Sequence, residues 1–296
     1  MLVGVYSPTI NISDIIENDI YFRPFSFNRD RIDICDDYSK CDYILGYLDY
    51  LNCNQEYNII RESDTFKKYK EKFIFYSMHD TPSFAYMDKE PVKLICQPLN
   101  GSSVNDEYNI ITIPLTMRHF ELDIIRDQNF IDECRNTEKK YDFVFIGQPQ
   151  YGNREWVKHV GGKILYRETK HIYHTQGQDR VNLVKEFCKE ISKAKFGFSP
   201  RGVGSSSFRL YQNLMVGTVP LIWGMQDYPF RDDVSWSSFG AIIDNHTESN
   251  FPRKYFTDIS DEKYAAIRNN GIEFWDTYVH IERCDRVIFD KLKKCK

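Results

Sequence analysis

No run of about 18 apolar residues occurs in the 296-residue chain, so no segment has the length and character of a membrane-spanning helix. The amino terminus, Met1-Leu2-Val3-Gly4-Val5-Tyr6-Ser7-Pro8, lacks the basic flank and long apolar core of a signal peptide. Metal chemistry is not signalled either. The eight cysteines, at 35, 41, 53, 96, 134, 188, 284 and 295, form no CxxC pair and no metal-ligand spacing, and they read as scattered free thiols rather than a disulfide framework. His171 and His174 stand three residues apart without a carboxylate or cysteine partner at metal spacing, which favours an ordinary loop. Net charge is only −4 with the two signs interleaved, which argues against a protein held to nucleic acid by overall attraction. Internal repeats and low-complexity segments are absent. The expectation is a cytoplasmic protein without a membrane span, a metal or a nucleic-acid partner.

Aromatic residues are plentiful. They make up 15% of the chain, with 20 Tyr and 21 Phe, enough for a sizeable core, and the length suits two domains of ordinary size. The stretch Lys195–Trp223 organises the reading. Lys195–Ser199 reads as a buried strand, and Pro200-Arg201-Gly202-Val203-Gly204-Ser205-Ser206-Ser207 breaks it with a polar turn. A helix follows. Ser206 or Ser207 is its N-cap, Phe208, Tyr211, Leu214 and Met215 share a face, and Gly217 stops it in a left-handed C-cap. Thr218–Trp223 is a second buried strand, which completes a βαβ unit. Such a loop aims backbone N–H groups and the positive end of a helix dipole at the carboxyl edge of a parallel sheet, a place that suits phosphate.

The remaining strands read from short apolar runs: Leu2–Tyr6, Tyr43–Leu48, Phe73–Ser77, Val92–Cys96, Asn109–Pro114, Tyr141–Gly147, Lys163–Tyr166 and Gly240–Ile243. Helices are expected at Asp64–Lys72, near Arg154–Val160, at Arg180–Ala194 and over much of Asp261–Lys294. The charged run Asp132–Lys140 reads as an exposed connection, which divides the chain into domains 1–130 and 131–296, with the final helix able to pack back on the first. Trp236 and Trp275 could stack on a sugar, but core packing is the simpler reading.

Phe196–Trp223, followed by Pro229-Phe230-Arg231-Asp232-Asp233-Val234-Ser235-Trp236, resembles the exostosin-like glycosyltransferases, glycosyltransferase family 47. The matching features are a strand ending in Pro-Arg-Gly, a Ser-x-Arg-Leu helix start, a Gly-x-x-Pro strand entry and the downstream Pro-Phe and Trp. Phe73–Asp80 and Ile110–Pro114 are similar to weaker landmarks of that family. The resemblance implies an α/β GT-B fold, two Rossmann-like domains facing across a cleft, and inversion at the anomeric carbon by single displacement. Compact exostosin-like chains also occur in large algal viruses, where they decorate capsid glycans; if viral, this chain belongs in the host cytoplasm.

Transfer from a nucleotide sugar asks for three things. Charge on the departing diphosphate needs cations and N–H groups: Arg201, Arg209, Pro200, Gly202, Gly204, Ser205, Ser206 and Ser207 in the central stretch, and Arg154 in another loop. Ribose hydroxyls need an acceptor. Exostosins read Arg-Leu-Phe-Glu where this chain reads Arg209-Leu210-Tyr211-Gln212, so an amide replaces the carboxylate; a solvent-facing Gln212 is the bland alternative. Tyr166 and Asp227 complete the donor-binding set. An acceptor hydroxyl needs a general base, for which Asp80, past the end of Phe73–Ser77, is best placed, with His79 as alternate and a capped turn as the non-catalytic reading.

The expected activity is an inverting, metal-independent transfer of a sugar, xylose as first guess, from a UDP-sugar donor to a hydroxyl of an oligosaccharide or glycoprotein. No cofactor beyond the donor is called for. A GDP-fucose-dependent transferase and a non-catalytic glycan binder on a degenerate transferase fold are the alternatives. A dinucleotide oxidoreductase is disfavoured, because Ser207 stands where GxGxxG needs its third glycine.

Overall fold

The structure, a computed structural model, describes residues 1–13, 15, 33–48, 53–77, 93–96, 109–112, 123–147, 163–168, 177–200, 207–223, 228–230, 233–243, 259–280 and 282–294. Strands β1 (Leu2–Tyr6), β2 (Asp33–Ile34), β3 (Tyr43–Leu48), β4 (Phe73–Ser77), β5 (Lys93–Cys96) and β6 (Asn109–Thr112) form a six-stranded sheet in the order β2-β1-β3-β4-β5-β6. All its pairings are parallel. Strands β7 (Tyr141–Gly147), β8 (Ile164–Glu168), β9 (Ala194–Pro200), β10 (Val219–Trp223) and β11 (Ala241–Ile243) form a second, five-stranded sheet in the order β11-β10-β9-β7-β8, again parallel. Parallel strands are covered on both faces, and every residue of β3 and β4 is accordingly buried. The expected α/β architecture with two Rossmann-like sheets is present.

The chain separates into two compact units: Met1–Thr116 with Gln226–Phe230 and Ile281–Lys296, and Met117–Met225 with Arg231–His280. In the first, α1 (Cys53–Glu62) and α2 (Asp64–Tyr69) bring Tyr57, Ile60 and Phe66 onto Ile44, Leu48, Phe73 and Phe75. Ser63 caps α2, accepting from the Phe66 N–H at 3.1 Å. Helix α1 is not legible in the sequence, because its first turn is polar and only Tyr57 and Ile60 carry the apolar period.

The second unit corrects one expectation. The charged run after residue 131 is not a bare connection: Gln128–Arg135 is helix α3, capped by Asp127, with Phe130, Ile131 and Cys134 buried. Charges at the intervening positions hide the buried face in a linear reading. Helix α4 (Gly177–Ser192) starts three residues earlier than expected from the Arg180 periodicity. Phe143, Phe145, Phe196, Phe198, Val219 and Leu221 make the core of this sheet, closed by Tyr264 of α6 (Asp261–Phe274). A π-helical turn at Trp275–Val279 follows α6, and α7 (Cys284–Lys294) belongs to the first unit. Trp275 is fully buried and Trp236 packs on Phe239 and Phe274, which leaves both as core residues.

Helix α5 (Phe208–Met215) packs on β9. Gly197 has no side chain, so the buried Asn213 amide rests where a Cβ would stand, and Asn213 Nδ2 donates to Ser199 Oγ at 2.9 Å. At the other end Gly217 takes φ +67°, the expected left-handed stop. Carbonyls left over at the ends of α4 and α5 are met there by cations. Arg135 Nε donates to Met215 O at 2.9 Å, Arg268 Nε to Gly217 O at 3.0 Å, and Lys139 Nζ to Ser192 O at 2.7 Å. Arg135 is itself held by a two-pronged pair with Asp276 at 3.1 Å.

Two outcomes follow from this packing. Gly197→Ala should lower stability by about 1–3 kcal/mol, read by urea unfolding, because the Asn213 amide cannot swing out of a filled interior. Burial, with the Arg268 guanidinium nearby, pushes the Lys139 ammonium down from 10.5 to about 7. Above pH 7 the unfolded chain therefore holds a proton on this lysine that the folded chain has lost, and stability should rise with pH up to about 8.5, where unfolded thiols begin to ionise. Beyond that the Cys134 thiol, pushed up to about 11 mainly by burial, works in the opposite sense. Lys139→Met should flatten the rise in a series of thermal melts.

Candidate functional site

Strand order locates the sites. Each sheet has its first strand flanked by its second and third, as β1 is by β2 and β3, and β7 by β8 and β9. Open parallel sheets as a class bind ligands outside the carboxyl ends of their strands, at the point where the strand order reverses. In the second unit that point lies between Gly147, which ends β7, and Pro200, which ends β9. Helix α5, which starts at Phe208, is the next described element after Pro200.

Ser207 is the N-cap of α5, with extended backbone, as the sequence suggests; its hydroxyl makes no capping hydrogen bond, and no acidic residue stands in the first turn. The cation there is Arg209. Its guanidinium stacks 4.7 Å from the centre of the Phe187 ring of α4 and 5.9 Å from that of Phe145 on β7. A Cβ on Gly147 would come within 3.4 Å of Arg209 Nη2 and 3.1 Å of Phe145 Cζ, so the bare backbone of Gly147 lets the guanidinium reach the end of β7. Stacked guanidinium keeps its in-plane N–H donors directed outward from the rings. A cation in the first turn of a helix is opposed by the helix dipole, and an anion bound at the same place relieves that opposition.

Gln212 is only 8% exposed, which rules out the solvent-facing alternative; the α5 face that carries it is buried from Leu210 to Met215. Tyr166 on β8 is partly exposed and ends an aromatic row that crosses four neighbouring strands. Ring centroids are 5.8 Å apart for Tyr166 and Phe145, 5.7 Å for Phe145 and Phe198, and 5.9 Å for Phe198 and Trp223. Trp223, also partly exposed, pairs in register with Pro200. It stands one strand from the start of the loop, a placement the sequence reading did not assign, since strand order is needed to see it.

The first unit holds a counterpart. The corresponding point lies between the carboxyl ends of β1 and β3, and Thr9 Oγ1, just beyond β1, donates to Glu56 Oε1 in the first turn of α1. Glu56 is 2% exposed, the one carboxylate among the buried polar and charged side chains of the described residues. Sequence reasoning missed it because nothing in Asn54-Gln55-Glu56 signals burial. Arg154, Arg201, Gly202, Gly204, Ser205, Ser206 and Asp227 of the expected donor set, and the expected base candidates His79 and Asp80, lie outside the described residues, as do His171 and His174. Among the described residues no group of His, Cys, Asp and Glu could hold a metal ion, and no helix is long and apolar enough to cross a membrane.

Comparison with known proteins gives no match to a protein-family model and none to a curated protein. Among solved structures, the chain is similar to that of WaaG, a glycosyltransferase involved in lipopolysaccharide biosynthesis, with a TM-score of 0.37 and 11% identity over 97% of this chain and 99% of that one.

The Arg209 geometry predicts an anion site that a charge deletion weakens. Arg209→Gln should reduce affinity for inorganic pyrophosphate about tenfold or more in calorimetric titration, with an unchanged melting temperature. Equal affinity in the variant removes Arg209 from the site.

Proposed function

We propose that the protein is a glycosyltransferase of the exostosin-like kind, which moves a sugar from a UDP-activated donor to a hydroxyl of a glycan. The observation that carries this reading is the cation of Arg209, held in the first turn of α5 against Phe187 and Phe145, with no acidic residue in that turn. A nucleoside diphosphate is an anion of a form that a strand, loop and helix unit accommodates. Resemblance of Phe196–Trp236 to glycosyltransferase family 47 selects sugar transfer among the reactions that use such a group.

In this reading the diphosphate rests against the Pro200–Ser207 loop. Arg201, Arg209 and the loop N–H groups stabilise the charge that builds on the leaving oxygen, and Arg154 adds a second cation. Gln212, buried on α5, offers an amide oxygen to a ribose hydroxyl, a weaker acceptor than a carboxylate. Tyr166 and Asp227 border the donor. A carboxylate or imidazole of the first unit takes the acceptor proton, and Asp80 and His79 are the candidates that the sequence offers. Attack by the acceptor oxygen on the anomeric carbon, as the bond to the diphosphate breaks, inverts that centre in one step. No metal is required when cations and N–H groups carry the leaving charge. Xylose is the first donor sugar to try.

Titration of the protein with UDP and with GDP in EDTA tests the reading. UDP should bind without added magnesium or manganese, and Arg201→Ala should weaken it at least tenfold without lowering the melting temperature. Binding of GDP alone would move the assignment to a fucosyltransferase. Failure of both nucleotides to bind would refute the transferase and leave a glycan binder.

A further inference from the structure

We propose that Cys35 and Cys41 are a redox-active pair, which a small disulfide such as oxidised glutathione converts into a reversible cross-link that fastens the edge of the first sheet. The site is independent of the transferase reading. Both thiols are free in the structure, and both belong to the short connection between β2 and β3. Their sulfurs converge on a single oxygen. Cys35 Sγ donates to the Asp37 carbonyl at 3.3 Å and Cys41 Sγ to the same carbonyl at 3.5 Å, while Cys41 Sγ also lies 3.6 Å from the Cys35 carbonyl oxygen. A thiol is a weak donor, so these contacts cost little to give up when the sulfurs bond to each other. The spacing of the two residues is neither CxxC nor that of a metal site, and only the fold reveals the pair.

Strand β1 is the platform on which they meet. The Cys35 N–H donates to Val3 O at 3.0 Å on one side of β1, and the Asp42 N–H donates to Leu2 O at 2.8 Å on the other, where β3 begins. Gly4 makes the room between them. A Cβ there would come within 3.0 Å of Cys41 Sγ and 2.8 Å of the Tyr38 ring, so the bare backbone lets the thiol rest on the strand. Tyr38 Oη donates to Val5 O at 3.0 Å and Lys72 Nζ to Ser39 O at 2.8 Å, which pins the connection between the two cysteines. Both pack on the cluster that holds Ile44, Tyr57 and Phe73, yet they differ in access: Cys41 is 2% exposed, whereas Cys35 is partly exposed. Burial, and after it the neighbouring Cys35 side chain, holds the Cys41 thiol above its ordinary range. Cys35 therefore meets a dissolved oxidant first, and Cys41 reacts second.

Two exchanges complete the reaction. Cys35 Sγ gives its proton to solvent and bonds to one sulfur of oxidised glutathione, whose S–S bond breaks and releases the other half as a thiolate that takes up a proton. Cys41 Sγ then gives up its proton and bonds to Cys35 Sγ, and the second glutathione leaves in the same way. Two protein thiols are oxidised to one disulfide while one glutathione disulfide is reduced to two thiols. Strand β2 has only two residues and pairs with β1 alone, so a covalent tie from its end to the start of β3 restricts the opening of this edge.

Treatment of the full native chain with oxidised glutathione, followed by alkylation, trypsin and mass spectrometry, tests the pair. Trypsin cuts after Lys40, so the cross-link should appear as Ile32–Lys40 joined to Cys41–Arg61, two hydrogens lighter than the sum of the peptides. The second peptide also carries Cys53. Cys53→Ser should therefore keep the link, Cys35→Ser should abolish it, and reduced glutathione should restore both thiols. Amide hydrogen exchange at Cys35 and Asp42 should slow about threefold or more in the oxidised parent, with no such change in Cys35→Ser treated alike. The proposal is overturned if the two peptides emerge unlinked, if glutathione stays on Cys35, if Cys53→Ser removes the link, or if the link forms only in urea-unfolded chain. A link that leaves exchange at both amides unchanged overturns it as well, since the edge of the sheet is then not fastened.

Discussion

The contact between Asn213 and the bare backbone of Gly197 is the constraint on which the second unit depends. Without a side chain at 197, α5 comes close enough to β9 for a buried amide to sit on the strand and reach Ser199. That contact fixes the distance and rotation of the helix, and with them the place of its first turn. Arg209 is carried on that turn to the end of β7, where a second glycine, Gly147, leaves room for its guanidinium beside Phe145 and Phe187. Two absent side chains therefore position one charge.

The opposite end of the same helix shows the complementary problem and its solution. Carbonyls at the ends of α3, α4 and α5 converge near Gly217, and Arg135, Arg268 and Lys139 donate to them. Negative helix ends welcome cations, whereas burial, with the Arg268 guanidinium nearby, depresses the one that can lose its proton. Lys139 is that group, which makes this edge of the unit responsive to pH.

Glu56 and Arg209 show how one topology repeats in the two units. Both sheets have the same order through their first three strands, and each residue stands in the first turn of the helix that follows the third strand of its own sheet. The aromatic row from Tyr166 to Trp223 runs across four strands of the second sheet, with Phe145 and Phe198 buried in the core and only its two ends partly exposed.

Local sequence by itself determined much of this protein. Strands β1, β3, β4 and β7 begin and end where their apolar runs do, since a parallel strand buried on both faces has to be continuous in apolar character. Helix α5 and its Gly217 stop were equally legible, because capping and a positive φ are local matters. Helices α1 and α3 were not, for their buried faces are thin and interrupted by charge. Only tertiary structure decided that Gln212 turns inward, that Trp236 and Trp275 pack in the core while Trp223 stands at the sheet edge, and that Glu56 is buried against Thr9. Burial and strand order depend on residues far apart in the chain, and no local pattern records which of them will meet.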